Sequence, residues 1–599
     1  MSTESRRREA ELAATGREEL DKKIRQRINE LSQLRSQRNE LAPVSKLPPE
    51  VLAHIFSICS ILEPFVIQPP YGTPLHSWFK VTQVCKHWRE VALNCAPLWH
   101  RIEFSAPKWT VEMLRRSKNA PIVVRADLTY RTPNFVNTVQ QALGEVHRIK
   151  ELDLIAPSQM LSRLAGSLSR PAPALESLRL SSQRLSAYMD TIYHVPDTLF
   201  QGRAPRLRRL ELVNCEIAWT SGFLANLTHL HIDKATTYDP GRPTMTQFLN
   251  VLRNTPALQS LRLKHAAPLD PESIDEDTPR VDLPNLTKVY IQDFVENTSG
   301  ILKSLNLADN VKMKLECRAS SGRENELTEL VRMVQGYRLK EIEGRQHLES
   351  LRIIIEYGSV QIIGGSLKET AIPHMAVLWT DPSAIPQIDL TLMWHGGSNN
   401  ERTKAILSAA SQSLDLQHVQ SLNVYCSEPV PVDSWVSTFA KLTALSSLRL
   451  GGYRCSTLIE SLARTTPVDR AEHERAPIVF PALSHIGLND VDWSERLTEN
   501  MQVDLFGAFR DWLEFRMLRE AAVRDITLQN CTSISDGKVA EFKERIRGEV
   551  SWDGVDRELS SDDESLDYYG DLVEPYTHGM WEEPSDDEYD VETIFGFPF

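Results

Sequence analysis

A six-residue pattern, apolar-x-x-apolar-x-apolar, recurs along most of this 599-residue chain. It begins at residues 149, 175, 207, 227, 258, 286, 348, 419, 445, 483 and 523. The last two apolar positions alternate with polar ones, so each segment predicts a short strand that buries one face and exposes the other. The first apolar residue closes the preceding turn, and proline precedes several segments, as in Pro256-Ala-Leu258.

Helical patterns separate these strands, for example at 244–255, 327–335 and 433–442. A strand, a return helix and a parallel strand form a right-handed unit, and stacked units form a curved solenoid. We therefore predict an α/β fold in which residues 105–550 form a solenoid with a parallel sheet on its concave face. This region resembles irregular leucine-rich repeats. The alternative is a generic α/β domain with leucine-rich strands.

Residues 1–42 contain one polar helical pattern, over 9–42. Five apolar residues fall on a heptad seam, and three arginines interrupt it: Leu20, Ile24, Leu31, Leu34 and Leu41, with Arg17, Arg27 and Arg38 between them. Polar residues at such positions weaken a coiled coil. The segment predicts either a short, weak coiled coil or a solitary helix held by pairs of charges one turn apart.

Residues 43–104 form a compact helical pattern. Proline at 48 and 49 suits a first helical turn, and Glu50 suits the positive end of the helix dipole. Two apolar stripes follow, one over 51–59 and one over 79–92, and a short element ends at Trp99. So few residues cannot enclose so many large apolar side chains, and we expect some of them to face a partner.

Four submotifs in this segment occur in the order of an F-box: Leu47-Pro48-x-Glu50, Ile55-Phe56, Val84-Cys85-x-x-Trp88 and Pro97-Leu98-Trp99. The segment resembles the F-box-like proteins of mushroom-forming fungi, which place a short coiled coil before the box. They often continue as this chain does in WTVEMLRRSKNAPIVVRADL at 109–128. The resemblance covers about 46–128. One departure is a Pro-rich insertion at 61–80 between the first two helices.

The resemblance implies that the box binds a Skp-type adaptor and, through it, the core of a cullin–RING ubiquitin ligase. Carried over position by position, the adaptor-binding residues are Leu47, Pro48, Leu52, Ile55, Val84, Cys85 and Trp88.

The net charge of −14 resides in the C-terminal segment, which holds fourteen acidic residues and no Lys or Arg after Arg557. Residues 551–599 are thus predicted to be an acidic, disordered tail. The remaining chain is neutral and lacks the basic footprint of a nucleic-acid-binding protein. The eight cysteines form no C-x-x-C pair, and neither a signal peptide nor a membrane span is evident. We expect a cytoplasmic or nuclear protein.

Catalytic motifs are missing from the sequence: it has no phosphate-binding glycine loop, no nucleophile elbow and no H-E-x-x-H zinc motif. Cys85, His87 and Cys95 lie close together, but zinc ligands usually come as paired knuckles. We therefore expect no enzyme activity, no cofactor and no metal.

The exposed face of the predicted sheet carries more basic than acidic side chains. Such a surface suits an acidic or phosphorylated peptide, although an ordinary mixed-charge face is the alternative. The candidate client-binding residues are Arg179, Arg209, His231, Arg262, Lys264, Tyr290, Arg352, Tyr425 and Arg449.

Together these patterns predict a substrate-recognition subunit of an SCF-type ubiquitin ligase, whose box binds the adaptor and whose repeat region binds a protein client. A scaffold that uses the repeats for assembly, without a ligase role, is the alternative from another class. The insertion at 61–80 favours that alternative.

Overall fold

The structure, a computed structural model, describes residues 3–62, 77–104, 106–183, 192–236, 241–270, 279–308, 311–336, 347–367, 386–397, 399–467, 476–497 and 503–554. The chain divides into two compact units, one up to Leu207 and one from Arg208. The division falls within the segment 105–550 that the sequence assigns to a single repeat region. The insertion at 61–80 is described at its two ends, and the acidic tail lies outside the described residues beyond Gly554.

The first unit begins with helices and continues as alternating strands and helices. Its α-helices are α1 Thr3–Glu40, α2 Pro49–Leu62, α3 Lys86–Asn94, α4 Pro107–Arg116, α5 Pro133–Leu143 and α6 Ser158–Ala165. Short 3₁₀ helices occupy Pro43–Lys46, Ser77–Gln83, Ala96–Trp99, Val146–Arg148, Gly166–Leu168 and Leu199–Gly202. Its strands are β1 Arg101–Ile102, β2 Ile122–Asp127, β3 Ile149–Ala156, β4 Ser177–Ser182 and β5 Tyr193–His194. Strands β1 to β4 pair in order and in parallel.

The second unit contains both strands and helices among its described residues, and in places two strands follow one another directly, as Ser350–Glu356 and Ser359–Gly365 do. Its strands are β6 Arg209–Val213, β7 Cys215–Glu216, β8 His229–Asp233, β9 Ser260–Lys264, β10 Val281–Asp282, β11 Lys288–Phe294, β12 Leu305–Asn306, β13 Lys312–Arg318, β14 Ser350–Glu356, β15 Ser359–Gly365, β16 Ile388–Met393, β17 Ser421–Cys426, β18 Ser447–Gly451, β19 His485–Asn489, β20 Asp525–Gln529 and β21 Val550–Trp552. Its helices are a 3₁₀ turn at Gly222–Leu224, α7 Met245–Arg253, α8 Val295–Lys303, α9 Asn325–Gly336, α10 Asn400–Ser413, α11 Val432–Phe439, α12 Ser456–Ala463, α13 Leu505–Leu518 and α14 Asp536–Lys543.

The main sheet of this unit is mostly parallel, as the sequence predicts. Strands β6, β8, β9, β11 and β13 pair in succession, and so do β14, β17, β18, β19, β20 and β21. Between these two runs the order is β13–β16–β15–β14, and β15 is antiparallel to both of its neighbours. The last strand reaches Trp552, so the folded chain extends into the segment predicted as tail.

The strand register aligns the apolar positions of successive six-residue segments into buried rows. Leu210, Leu230 and Leu261 are direct partners across three strands, and each is at most 1% exposed. Helices cover the apolar face: Trp435 of α11 and Leu458 of α12 line one small internal space together with sheet residues. The alternation of one buried and one open position is the reason that the six-residue pattern forms strands here.

Candidate functional site

Helix α2 has two apolar faces, and one of them is open. Leu52 and Phe56 are each 1% exposed and face the interior of the first unit. Val51, Ile55 and Ile58 follow one another at the helical spacing of four and three residues and are 43%, 40% and 43% exposed. One α-helix turn is 3.6 residues, so these three side chains form a continuous stripe on the opposite side. We call Val51, Ile55 and Ile58 the outer stripe.

Helix α3 begins with a cap that orients Trp88. Cys85 has an extended backbone, and its Sγ accepts a hydrogen bond from the Trp88 backbone N–H at 3.5 Å. The Trp88 ring lies 5.0 Å from the Phe56 ring, so it rests on the buried face of α2 while keeping part of its own surface open. The continuous stripe expected at 79–92 is therefore divided at Cys85, because the cap ends the 3₁₀ helix Ser77–Gln83 and starts α3.

An aromatic cluster supports the box from beneath. The Trp99 ring lies 5.4 Å from that of Trp78 and 5.7 Å from that of Trp109, and the Phe79 ring lies 4.7 Å from Trp109. Trp99 also donates its indole N–H to the Ala92 carbonyl at 2.9 Å. Trp78 and Phe79 end the Pro-rich insertion, so this end of the insertion belongs to the core. The cluster also packs α4 against the box.

The predicted adaptor-binding residues divide into three groups. Pro48, Ile55 and Val84 are exposed, with Val84 at 55%, and Leu47, Cys85 and Trp88 are partly buried. The prediction for Leu52 needs correction, because this side chain is on the inward face of α2 and supports the surface from within. Sequence reasoning missed Ile58 and Val51 as surface residues, although their spacing from Ile55 placed them on one helical face.

Residues 44–105 match the model of the F-box-like family. This stretch contains α2, α3 and the 3₁₀ helix Ala96–Trp99, so the chain carries an F-box-like domain at its N-terminal side. A search of curated proteins found no match to the chain. Among the described residues, no helix combines the length and the apolar character that a membrane crossing requires.

Two of the candidate client-binding arginines, one in each unit, are paired with acidic neighbours. In the first unit, Arg179 lies 3.4 Å from Asp153. In the second unit, Arg262 donates to both carboxylate oxygens of Asp233 at 2.7–3.0 Å, and its guanidinium lies 4.8 Å from the Tyr290 ring. These arginines link neighbouring strands, so their guanidinium groups are already engaged by acidic side chains.

Tyr290 is a second correction, because it is 6% exposed and cannot serve as an open contact. Its hydroxyl donates to Gln292 at 2.9 Å, and burial raises the pKa of the phenol. His231 is half-buried and lies 2.9 Å from the Ser260 hydroxyl. Burial lowers the pKa of His231 to about 4, and the Arg262 charge acts in the same direction. Of the other candidates on β6 and β9, Arg209 is exposed and Lys264 is half-buried.

Strands β14, β17 and β18 of the second unit carry the remaining candidates, Arg352, Tyr425 and Arg449. Asn423 pairs with Arg352 on one side and with Arg449 on the other. Burial lowers the pKa of Arg352, and the like charge of Arg449 lowers it further. Arg449 and Tyr425 are exposed, and among the described residues no carboxylate lies within ion-pair distance of Arg449. Among the described residues, Arg449 therefore has no acidic partner like the one that Asp233 provides for Arg262. Arg352 beside it is half-buried.

Cys85, His87 and Cys95 do not form a metal-binding group. Cys85 serves as the cap of α3, and the Cys95 thiol contacts the Ala53 carbonyl and the Ser57 hydroxyl at 3.8 Å. Within the described ranges, side chains with metal-ligand chemistry come together at a different place, in the second unit, at His347, Asp415 and His418.

Proposed function

We propose that this protein is the substrate-recognition subunit of an SCF-type cullin–RING ubiquitin ligase. The observation that carries the proposal is the outer stripe of α2, an apolar surface in an F-box-like domain. F-box domains generally bind Skp-type adaptors. In this proposal the chain supplies no catalytic group and acts by proximity, raising the effective concentration of a client near the ubiquitin-transferring machinery.

The energetics favour a partner on this surface. Burial of apolar surface contributes about 25 cal/mol per Å², and a few large side chains usually carry most of a protein–protein affinity. Val51, Ile55, Ile58 and Val84 leave substantial apolar area in water, while Phe56, Trp88 and the aromatic cluster hold the helices that present them. A well-packed apolar surface of this kind suits tight binding, because its side chains lose little conformational entropy when the partner binds.

The second unit is the client-binding part in this proposal. Its parallel strands and returning helices support a leucine-rich-repeat-like arrangement, in which the exposed sheet positions contact the client. We infer that Arg449 and Tyr425 are the main contacts, because both are exposed and Arg449 has no acidic partner among the described residues like the one that Asp233 provides for Arg262. A client with acidic or phosphorylated side chains fits this surface.

Purification of the tagged full-length chain from cells tests the assignment. We expect a Skp-type adaptor and a cullin to co-purify, together with the client. Recovery of stable partners without adaptor or cullin would contradict the ligase assignment and favour the scaffold.

The N-terminal helix keeps both of its interpretations. Helix α1 is one continuous helix, and Leu20, Ile24 and Leu31 are 60%, 54% and 49% exposed. A second helix, packed against α1 in a coiled coil, would cover these side chains. Dimerisation through this helix stays a prediction.

A further inference from the structure

Two histidines and one aspartate come together at one edge of the second unit. The ligand atoms of His347, Asp415 and His418 all lie within 4.8 Å of one another. His347 Nδ1 is 3.5 Å from Asp415 Oδ2, and the two imidazole rings have centroids 4.0 Å apart. The two histidines are exposed and the aspartate is half-buried, so an ion and a water molecule can reach all three.

Strand register explains why these residues meet although they are far apart in the chain. Strands β14 and β17 are parallel neighbours, and Ser350 pairs with Ser421. His347 precedes Ser350 by three residues and His418 precedes Ser421 by three. The Gln420 and Ser421 amides both donate to the Glu349 carbonyl, at 2.7 and 3.1 Å, and so keep the two segments side by side ahead of the strands.

The backbone around each of the three residues is anchored. Leu348 is 3% exposed, Leu414 and Leu416 flank Asp415 at 6% and 4%, and Val419 is fully buried. The Leu414 amide donates to Ala410, and the Val419 amide donates to Leu416. Ligands on a backbone that packing holds in place make a more precise site than ligands on a free loop.

The two histidines are not required by the repeat pattern. The units read His347-Leu-Glu-Ser-Leu and His418-Val-Gln-Ser-Leu. In four other six-residue segments alanine stands at the same position, just before the first apolar residue: Ala174, Ala257, Ala444 and Ala482. The fold therefore accepts alanine at this position. Histidine occurs in two segments whose strands, β14 and β17, are neighbours in the sheet.

We propose that His347, Asp415 and His418 bind a divalent first-row transition metal of the Zn²⁺ class. Imidazole nitrogen and carboxylate oxygen are ligands that Zn²⁺ takes at about 2.0–2.2 Å, and three protein ligands leave the fourth tetrahedral position to water. The ligand atoms of such a tetrahedron are about 3.4 Å apart. Small side-chain rotations close the observed spacing, because all three side chains retain contact with solvent. The bound ion clamps the leading ends of β14 and β17.

Metal titration of the full-length protein tests this site independently of the proposed ligase role. After removal of metals with a chelator, Zn²⁺ binding is measured by calorimetry, and Co²⁺ binding by its visible ligand-field absorption. We expect the wild-type chain to bind one more equivalent of Zn²⁺ than the double variant His347→Ala, His418→Ala. Asp415→Asn should keep the stoichiometry, because the two histidines remain, and lower the affinity at least about tenfold.

His485→Ala is the matched control, since His485, the first residue of β19, also lies beside a carboxylate, 3.1 Å from Asp525, without a second histidine described beside it. It should bind Zn²⁺ as the wild type does. Circular dichroism in chelator verifies that each variant is folded, and His418→Asn replaces the double variant if that one unfolds. Wild-type protein that binds neither ion, or equal binding by wild type and the folded His347/His418 variants, would show a hydrogen-bonded cluster without a metal and overturn the proposal.

Discussion

Arg262 and Arg449 occupy the same position in two six-residue segments that share the sequence Ser-Leu-Arg-Leu, yet they have different surroundings. Arg262 is paired with Asp233 and stacked near Tyr290, whereas Arg449 faces Asn423 on one side and Gly487 on the other. The local sequence is the same, so the difference comes from the neighbouring strands. One arginine stabilises the sheet, and the other is available to a partner.

This difference predicts unequal effects of the same substitution. Arg262→Ala leaves Asp233 without its main donor and should lower the free energy of unfolding by about 1–2 kcal/mol. Arg449→Ala is the matched control and should change it by less than about 0.5 kcal/mol. Chemical denaturation of the two variants measures both values. Equal losses would contradict the division of the sheet face into a paired and an open part.

His231 predicts a pH dependence of stability. Its pKa is about 4 in the folded protein, against an ordinary value of 6.5, because burial disfavours the charged ring. The unfolded chain therefore binds more protons between these values, and the protein loses stability as the pH falls from 6.5 towards 4. His231→Gln should reduce this loss by about 2 kcal/mol, allowing for the partial exposure of the ring. Denaturant unfolding from pH 8 to pH 4.5 measures this loss. At pH 8 His231 is neutral in the folded and in the unfolded protein, so its effect should appear only as the pH falls. A difference between variant and wild type that does not change with pH would contradict the assignment.

At the scale of elements, a buried ion pair joins β11 to the segment that leads into α7. Arg242 and Asp293 have side chains that are 1% and 0% exposed, and the guanidinium donates to both carboxylate oxygens at 2.8–2.9 Å. Arg242 also donates to the Ala267 carbonyl, and Asp293 accepts from the Phe294 amide and the Asn297 side chain. Every strong polar group of the pair is thus satisfied, which is the condition under which a buried pair is tolerated.

Removal of one member should be costly for that reason. Asp293→Ala leaves the Arg242 charge buried, and we expect the free energy of unfolding to fall by about 3–5 kcal/mol. Asp282→Ala is the control, since Asp282 is an exposed acceptor for the Asn306 side chain at 2.7 Å. Thermal and denaturant unfolding compare the two variants. Similar effects of both substitutions would mean that the buried pair carries no special stability.

The elements also show what the sequence pattern could and could not predict. All eleven six-residue segments form strands, because each pairs one apolar turn-closing residue with a strict alternation. Strands β13 and β16 were missed because they alternate without that first spacing, and β15 because it is antiparallel and reads Val-Gln-Ile-Ile-Gly-Gly. Periodicity describes one strand at a time, whereas the order β13–β16–β15–β14 depends on contacts between distant segments.

The same limit applies to the candidate sites. The apolar residues of the box were visible in the sequence, but a period of 3.6 did not decide which of Leu52 and Ile55 faces inward. The acidic partners of Arg179 and Arg262 lie on neighbouring strands, so the charges of single segments overstated the basic character of the sheet face. The His347 and His418 pair needed the strand register as well as the repeat pattern.

At the scale of the whole molecule, the proposal assigns two tasks to different parts of one chain. In the proposed function, the F-box-like domain of the first unit offers an apolar surface to an adaptor, and the second unit offers a polar, partly cationic sheet face to a client. Apolar contacts suit a constant partner, and charged contacts suit selection among clients. A substitution in one part should therefore leave the binding task of the other intact.

The affinity of the purified full-length protein for a Skp-type adaptor tests the central claim most directly. Ile55→Glu and Val51→Glu put a charge on the outer stripe, and we expect each to weaken adaptor binding at least tenfold, a loss of about 1.4 kcal/mol or more. Val111→Glu is the matched control, because Val111 on α4 is 43% exposed, as Val51 is, and lies outside the outer stripe. Wild-type affinity in the Val111 variant and lost affinity in the two stripe variants is the predicted result. Unchanged adaptor binding by the folded stripe variants, or no binding by the wild type, would contradict the account.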